Sequence, residues 1–295
     1  MEARQAMFKS VKDQIWFFDC EWVPDPKAGR LLYGLKEDMS DGDVLKEMWK
    51  RGGATEEDPQ PFLKTNLCRV VSIAALMRRV VPPEQNDGIP VKHHLLWLPR
   101  DVDDVAGRSE AAVIGTFLGA VGKFKPQLVG FNSRASDLRI LFQRALVNGI
   151  SAPDFCKRPD KPWEGVDYFA RDNEWSVDLM DSLSGFGSKP PSLNEIAVCS
   201  GIPGKMDVCG DDVAGMWLGG RWREIVQYNC FDALTTYLVW LRMAHLGGFL
   251  TDDAYEEEQM AFNNMLLEEA EKPGMDFINK YIDEWNRLQE AIENG

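Results

Sequence analysis

The run Ile15-Trp16-Phe17-Phe18-Asp19-Cys20 constrains the fold more than any other stretch of the chain. It is apolar almost without interruption, so it has no solvated face and reads as a central strand buried on both sides. Pro24 and Pro26 bound it on the C-terminal side. Polarity enters only at its end, through Asp19 and Glu21. Side chains two apart on a strand share a face, so two carboxylates converge on one side of a buried strand. Taken alone, the pair fits a strand emerging into solvent as well as it fits a site.

The remaining elements follow from periodicity and punctuation. Residues 24–67 hold no strand pattern. Within them Asp41–Lys50 reads as a short helix capped by Asp41 or Asp43, and Gly52–Pro61 as a polar loop. Arg69–Met77 and His94–Leu98 read as strands joined by the turn-rich Pro82–Pro90, a step short enough for an antiparallel hairpin. Ser109–Phe124 is helical, Gln127–Phe131 is a short buried strand, and Leu138–Asn148 is a helix stopped by Gly149. Ser151–Asn173 reads as loop and Ser176–Met180 as an edge strand. Ser192–Ser200 is a helix opened by a capping box, Ser192 with Glu195. Trp222–Leu246 is a long helix stopped by Gly247-Gly248, and Thr251–Gly295 is helical and acidic, interrupted at Pro273-Gly274. This order predicts an α/β fold, a mixed sheet flanked by helices. We expect one unit over 1–250, with an insertion at about 24–67, and a helical acidic extension over 251–295.

Two further acids stand out. Leu128-Val129-Gly130-Phe131-Asn132 runs from a buried strand to Asp137, which opens the next helix. An acid at a helix N-terminus is also favoured by capping and by the helix dipole. On the long helix, Tyr228 and Asp232 are four apart and share a face whose neighbours Val226, Ala233, Leu234 and Tyr237 are largely apolar. An acid in such a stripe is costly unless paired or bound to metal. Taken alone, the two residues fit a hydrogen-bonded Tyr–Asp core pair better than a catalytic one. Together, Asp19, Glu21, Asp137 and Asp232 form a set able to hold two hard divalent cations about 3.5–4 Å apart, the arrangement used in phosphodiester hydrolysis. All-oxygen ligands select magnesium or manganese over zinc.

Composition narrows the alternatives. The six cysteines form no CxxC pair and there are only three histidines, which argues against a Cys/His zinc site. The adjacent His93 and His94 face opposite ways on a strand and do not make a metal pair. No secretory signal opens the sequence, so the expected location is cytoplasmic, with reduced thiols. A formal charge of −14 argues against coating long nucleic acid by charge alone, while leaving room for a local basic track. Gly201-Ile202-Pro203-Gly204-Lys205 lacks the spacing of a nucleotide triphosphate loop.

The order Asp-x-Glu, Asn-x4-Asp, Tyr-x3-Asp resembles the three motifs of tyrosine-bearing DEDD exonucleases. The chain is similar, from about Trp16 to Leu246, to the bacterial family of predicted 3′–5′ exonucleases related to the proofreading domain of family-B DNA polymerases. Asp178-Leu179-Met180-Asp181, Ser192–Ala197 and Gly201–Lys205 are similar to that family's connecting segments. Two positions depart from it: Ser136 stands where an aromatic is usual, and Trp22 where Thr is common. Gln227 occupies the place of the histidine in the histidine branch. The resemblance implies a ribonuclease-H-like five-stranded mixed sheet and removal of nucleotides from the 3′ end of single-stranded nucleic acid, DNA favoured over RNA. It further implies metal ligation by Asp19, Glu21, Asp137 and Asp232, and a water oriented by Tyr228. Asn132 would contact the terminal nucleotide. Beyond these, Trp22 is a candidate for stacking a terminal base, Lys205 and Arg134 (with Arg139) are candidates for holding phosphate, and the acidic C-terminal helices are a candidate surface for a protein partner. Two other functions stay open: a catalytically weak module binding nucleic acid or protein, and a hydrolase of short oligonucleotides or nucleotides.

Overall fold

The computed structural model describes residues 8–82, 84, 90–161, 163–170, 173–184, 189–206 and 213–294. Most of the Pro82–Pro90 turn and Cys209 lie outside them. Five strands form one mixed sheet: β1 (Gln14–Pro24), β2 (Cys68–Val80), β3 (Val91–Leu98), β4 (Gln127–Gly130) and β5 (Ser176–Asp178), in the order β3-β2-β1-β4-β5. β2 pairs antiparallel with β1 and β3, while β4 runs parallel to β1 and to β5. This is the five-stranded mixed sheet flanked by helices that the sequence led us to expect.

β1 is central, and its alternation feeds two cores. Ile15 and Phe17, both 0% exposed, face the long helix α9 (Trp222–Leu246). Trp16, Phe18 and Cys20 face α3 (Glu110–Phe124) and α4 (Asp137–Val147) on the other side. Removing one such ring would cost about 3–5 kcal/mol. α9 is buried along almost its whole length because it lies on β1, β2 and β3 and is also packed by α10 (Asp252–Ala270), which sits on β3 as well, and by Phe277 and Tyr281 of α11 (Phe277–Glu293). Phe262, Leu266, Ile278 and Tyr281 of α10 and α11 are fully buried in the same cluster as α9. The apolar side of the acidic C-terminal segment is therefore spent on the core.

Two buried ion-pair groups join distant segments. Arg78 on β2 makes a two-pronged pair with Glu258 on α10, at 2.6 and 2.8 Å. Arg144 on α4 reaches Glu110 at 2.7 and 2.6 Å and Asp25 at 2.6 Å. His93 is buried edge-on between Tyr237 and Phe262, and His94 is exposed.

The stretch after β1 differs from expectation. Pro24 ends the strand, but Pro26 starts α1 (Pro26–Tyr33) rather than breaking structure. Asp25 caps it through the Lys27 N–H at 3.0 Å, and proline is well suited to the first helical position. α2 (Asp41–Arg51) forms as expected, but its cap is Ser40, not Asp41 or Asp43. A short helix α5 (Pro153–Cys156) lies within the expected loop. β5 ends at Asp178, where α6 (Leu179–Leu183) takes over. α7 (Leu193–Cys199) carries the full capping box of Ser192 and Glu195, and α8 (Val213–Leu218) is a short element not foreseen.

Candidate active site

The acids gather where β4 stops short of β1. β4 pairs with Ile15, Trp16 and Phe17 only, so from Phe18 onward that edge of β1 has no strand beside it. Gly130 makes the departure possible: a Cβ there would lie 2.5 Å from the Ser133 side chain and 3.2 Å from the Phe18 carbonyl. Asn132 follows with φ of 61°, the left-handed region that Asn tolerates. Asp178 at the end of β5 fixes this loop by accepting from the N–H groups of Asn132 at 2.8 Å and Arg134 at 2.9 Å. The loop delivers Asp137 to the open edge, where its Oδ1 accepts from the Cys20 N–H at 2.9 Å.

On the α9 face of β1, alternation brings Asp19 and Glu21 together. Asp232 meets them from α9, and one carboxylate oxygen from each of the three lies within 4.8 Å of the others. Asp137 stands beside this trio rather than in it, held by β1's backbone and by Ser136, whose hydroxyl lies 2.9 Å from Asp137 Oδ2 and 2.6 Å from the Asn132 carbonyl. That hydroxyl has one proton and donates to one of them at a time. The Tyr228 hydroxyl, one turn away on the same helix, favours the ionised form of Asp232.

The electrostatics are one-sided. Burial, and then the charges of Asp137, Glu21 and Asp232, push the Asp19 carboxyl well above the usual range. Burial and the charges of Asp232 and Asp137 raise Glu21 in the same way. Burial lifts Asp137 to about 7 against its hydrogen bonds from Ser136 and Cys20. Burial lifts Asp232 to about 6, opposed by Tyr228 and by the positive charge of Lys205. Burial beside Asp232, Glu21 and Asp19 raises the Tyr228 hydroxyl strongly, so it remains a protonated donor at neutral pH. Four carboxyls this close, two of them buried and two half-buried, cannot all ionise without added positive charge. Hard oxygen donors in a one-signed cluster are the donor chemistry that magnesium or manganese takes.

Two residues that the sequence reading passed over belong here. Asn229 is fully buried on α9 and donates its side-chain N–H to Asp19 Oδ2 at 2.7 Å. The Ser72 hydroxyl donates to the Asn229 side-chain oxygen at 2.9 Å, from the β2 position paired with Glu21. The available signal was polarity in the wrong place: an amide in a helix segment with no exposed face, and a hydroxyl inside an apolar strand.

Not every expected residue lies at the acids. Trp22 projects to the opposite side of β1 and packs against the α3–α4 cluster, because even-numbered positions of this strand face away from Asp19 and Glu21. That placement does not favour the stacking role expected for it. Arg134 is committed elsewhere: its Nε donates to the Ser176 carbonyl at 3.2 Å and its guanidinium lies 3.6 Å from Asp181. It braces β5 instead of reaching toward a phosphate. Lys205 is exposed and close enough to lower Glu21 and Asp232, and its backbone N–H is held by Asn194 at 2.7 Å.

No curated protein matches the chain. Among solved structures, a family B DNA polymerase from the hyperthermophilic archaeon Pyrobaculum calidifontis is similar at 17% identity and a TM-score of 0.48. The match covers 88% of this chain and 29% of the polymerase, so the chain spans under a third of that protein's length. One family profile matches residues 60–285, most of the chain, and on that match the chain belongs to the family of predicted 3′–5′ exonucleases related to the exonuclease domain of PolB.

Proposed function

We propose that this chain is a divalent-cation-dependent exonuclease that releases nucleotides from the 3′ end of single-stranded nucleic acid, with DNA favoured by the family relationship. The observation that carries the reading is the half-buried meeting of Asp19, Glu21 and Asp232, one carboxylate oxygen of each within 4.8 Å of the others. Such a cluster is unfavourable without a cation and serves no packing purpose. Those three residues, with Asp137 beside them, would hold the metal, two magnesium or manganese ions in the full four-carboxylate arrangement. Bound cations would polarise the phosphodiester and lower the pKa of attacking water.

The chain's own groups have separable tasks. Asn229 and the Cys20 N–H hold Asp19 and Asp137 in fixed orientations, which is the preorganisation that metal capture needs. Tyr228, protonated and set against Asp232, would orient the attacking water by accepting from it through its hydroxyl oxygen. Lys205 would contribute positive charge on the side of Glu21 and Asp232, where charge develops on the phosphate. Asn132, at the turn that delivers Asp137, would contact the terminal nucleotide.

The test is gel-resolved degradation of 5′-labelled single-stranded DNA and RNA of about twenty nucleotides with magnesium or manganese. The wild type is compared with Asp19→Ala and Tyr228→Phe. A ladder that shortens from the 3′ end, needs the metal and disappears in Asp19→Ala supports the exonuclease. Folded protein that cleaves neither strand overturns it and moves weight to a binding module or a hydrolase of small nucleotides.

A further inference from the structure

The sheet edge that carries the acids continues into a cationic and aromatic groove. β3 runs parallel to β1, and its last residue, Leu98, pairs through Ile73 with Cys20. The segment after β3 therefore leaves the sheet at the same edge as Asp19 and Glu21, two strands away, or roughly 10 Å. Three cavities lie along the N-terminal half of α9 in that direction. The first, about 160 Å³, is lined by Tyr228, Met206, Phe231 and Lys280. It shares Gln227 and Phe277 with the second, about 190 Å³, which adds Trp97, Arg100 and Arg223. The second shares Val102 and Arg223 with the third, about 260 Å³, which adds Arg108, Arg221 and Trp222.

The lining is unusual for a chain of net charge −14. The Arg100 guanidinium lies over the Trp97 ring at 4.3 Å and that of Arg108 over Trp222 at 5.2 Å, which sets cations beside aromatic faces. Acids are present, but their pairs are open to water: Arg223 and Asp103 are 74% and 75% exposed at 2.8 Å, and Arg221 and Glu224, paired at 3.0 Å, are 49% and 47% exposed. Exposed pairs of this kind contribute little and can give way to a phosphate. Each cavity is smaller than the roughly 300 Å³ that encloses a small ligand. Three in series, with cations between aromatic platforms, match a backbone threaded past stacking surfaces.

We infer that the groove from Tyr228 through Arg100 and Arg223 to Trp222 binds the body of a single-stranded polynucleotide whose 3′ end lies at the acids, so that the preferred substrate is a strand of several nucleotides and not a nucleotide or dinucleotide. The inference rests on the exonuclease reading for the position of the 3′ end. Its test is therefore a binding measurement that needs no turnover. Fluorescence anisotropy of 5′-fluorescein oligothymidylates of about two and about twelve nucleotides is followed in metal-free buffer across a salt series. The Arg100→Glu/Arg223→Glu variant is compared with Lys46→Glu, which reverses an exposed charge on α2.

The expected result is tighter binding of the longer strand, a tenfold or greater loss in the groove variant, and a salt slope shallower by about 0.7 for each contact removed. Lys46→Glu should bind as the wild type does. Trp97→Ala, which removes a platform without changing charge, should also weaken the longer strand. Equal affinity for both lengths, or a loss as large in Lys46→Glu, overturns the groove. Displacement of the strand by polyglutamate at equal charge concentration also overturns it, in favour of an acidic protein partner. Length-dependent binding in a protein that cleaves nothing would leave the groove standing and remove the exonuclease.

Discussion

Two kinds of buried charge coexist in this molecule. At Arg78–Glu258 and at Arg144–Glu110–Asp25, each acid meets a guanidinium at 2.6–2.8 Å. At the end of β1, Asp19, Glu21, Asp137 and Asp232 face one another, and the nearest positive charge acting on them is Lys205, exposed at the surface. Both groups are buried, and both join strands to helices. The first sets a guanidinium against every acid and links the C-terminal helices and the β1–α1 junction to the sheet. The second is unbalanced, and its acids are driven toward the protonated form. A guanidinium in direct contact with each acid, more than burial, separates scaffold from site here.

The largest test of that contrast is Asp232→Asn. Removing one of four like charges costs the fold nothing that depends on metal, so the metal-free protein should melt at the wild-type temperature or above it. Activity should fall by at least about 10³-fold, roughly 4 kcal/mol of barrier at 1.36 kcal/mol per decade. Melting curves without metal, run beside single-strand degradation, check both halves. A variant that unfolds while its specific activity survives would reverse the assignment of scaffold and site.

The Arg78–Glu258 pair should respond the opposite way. Glu258→Ala leaves the Arg78 guanidinium buried without its acid and should cost about 3–5 kcal/mol of stability, with activity per folded molecule retained. Replacing both partners with apolar residues, Arg78→Met with Glu258→Leu, should recover most of the loss, since a buried pair is often exchangeable for packing. Urea melts of the single and double variants measure this. A double variant as unstable as the single would mean that the pair contributes more than mutual neutralisation.

Metal and pH sharpen the comparison further. Asp137 and Asp232 titrate near 7 and 6 in the fold against an ordinary value of 3.8. Their contribution to stability is then fully present below about pH 4 and is lost as the pH rises through 6 to 7, because the folded state holds protons that the unfolded chain releases. Divalent cation replaces those protons. Manganese should therefore raise the melting temperature far more at pH 8 than at pH 5, with about 2.7 kcal/mol gained at a hundredfold excess over Kd. The same increment at both values would place metal binding away from these acids.

Much of this was legible beforehand, and the reasons differ by residue. The meeting of Asp19 with Glu21 follows from strand alternation, and that of Tyr228 with Asp232 from helix periodicity; both are local rules. The same alternation, applied one residue further, would have turned Trp22 away from the acids. Asp137 was visible as a helix start, but its distinct place depends on β4 ending at Gly130 while β1 continues, a difference in pairing length that no local pattern carries. α1 was hidden because Pro26 reads as a terminator when the Asp25 cap before it is overlooked. The groove beyond Tyr228 depends on the parallel alignment of β3 with β1, which brings residues about 80 positions apart to one edge.

Asn229 offers the finest distinction between the two kinds of burial, because it is a neutral donor inside the charged cluster. Its amide N–H meets Asp19 Oδ2 at 2.7 Å, and Ser72 fixes the amide's orientation from the position paired with Glu21. If the contact only relieved crowding among acids, Asn229→Ala would lower stability and leave metal affinity alone. If it preorganises Asp19, manganese affinity measured by calorimetry should fall by about 10–100-fold, the usual cost of losing a residue that orients a ligand. Ser72→Ala should produce a smaller loss in the same direction, since the amide keeps its donor but loses the bond that prevents it from turning over. Affinity unchanged in both variants would assign the pair to packing. A loss in Asn229→Ala alone would show that helix packing, without Ser72, is enough to aim the amide.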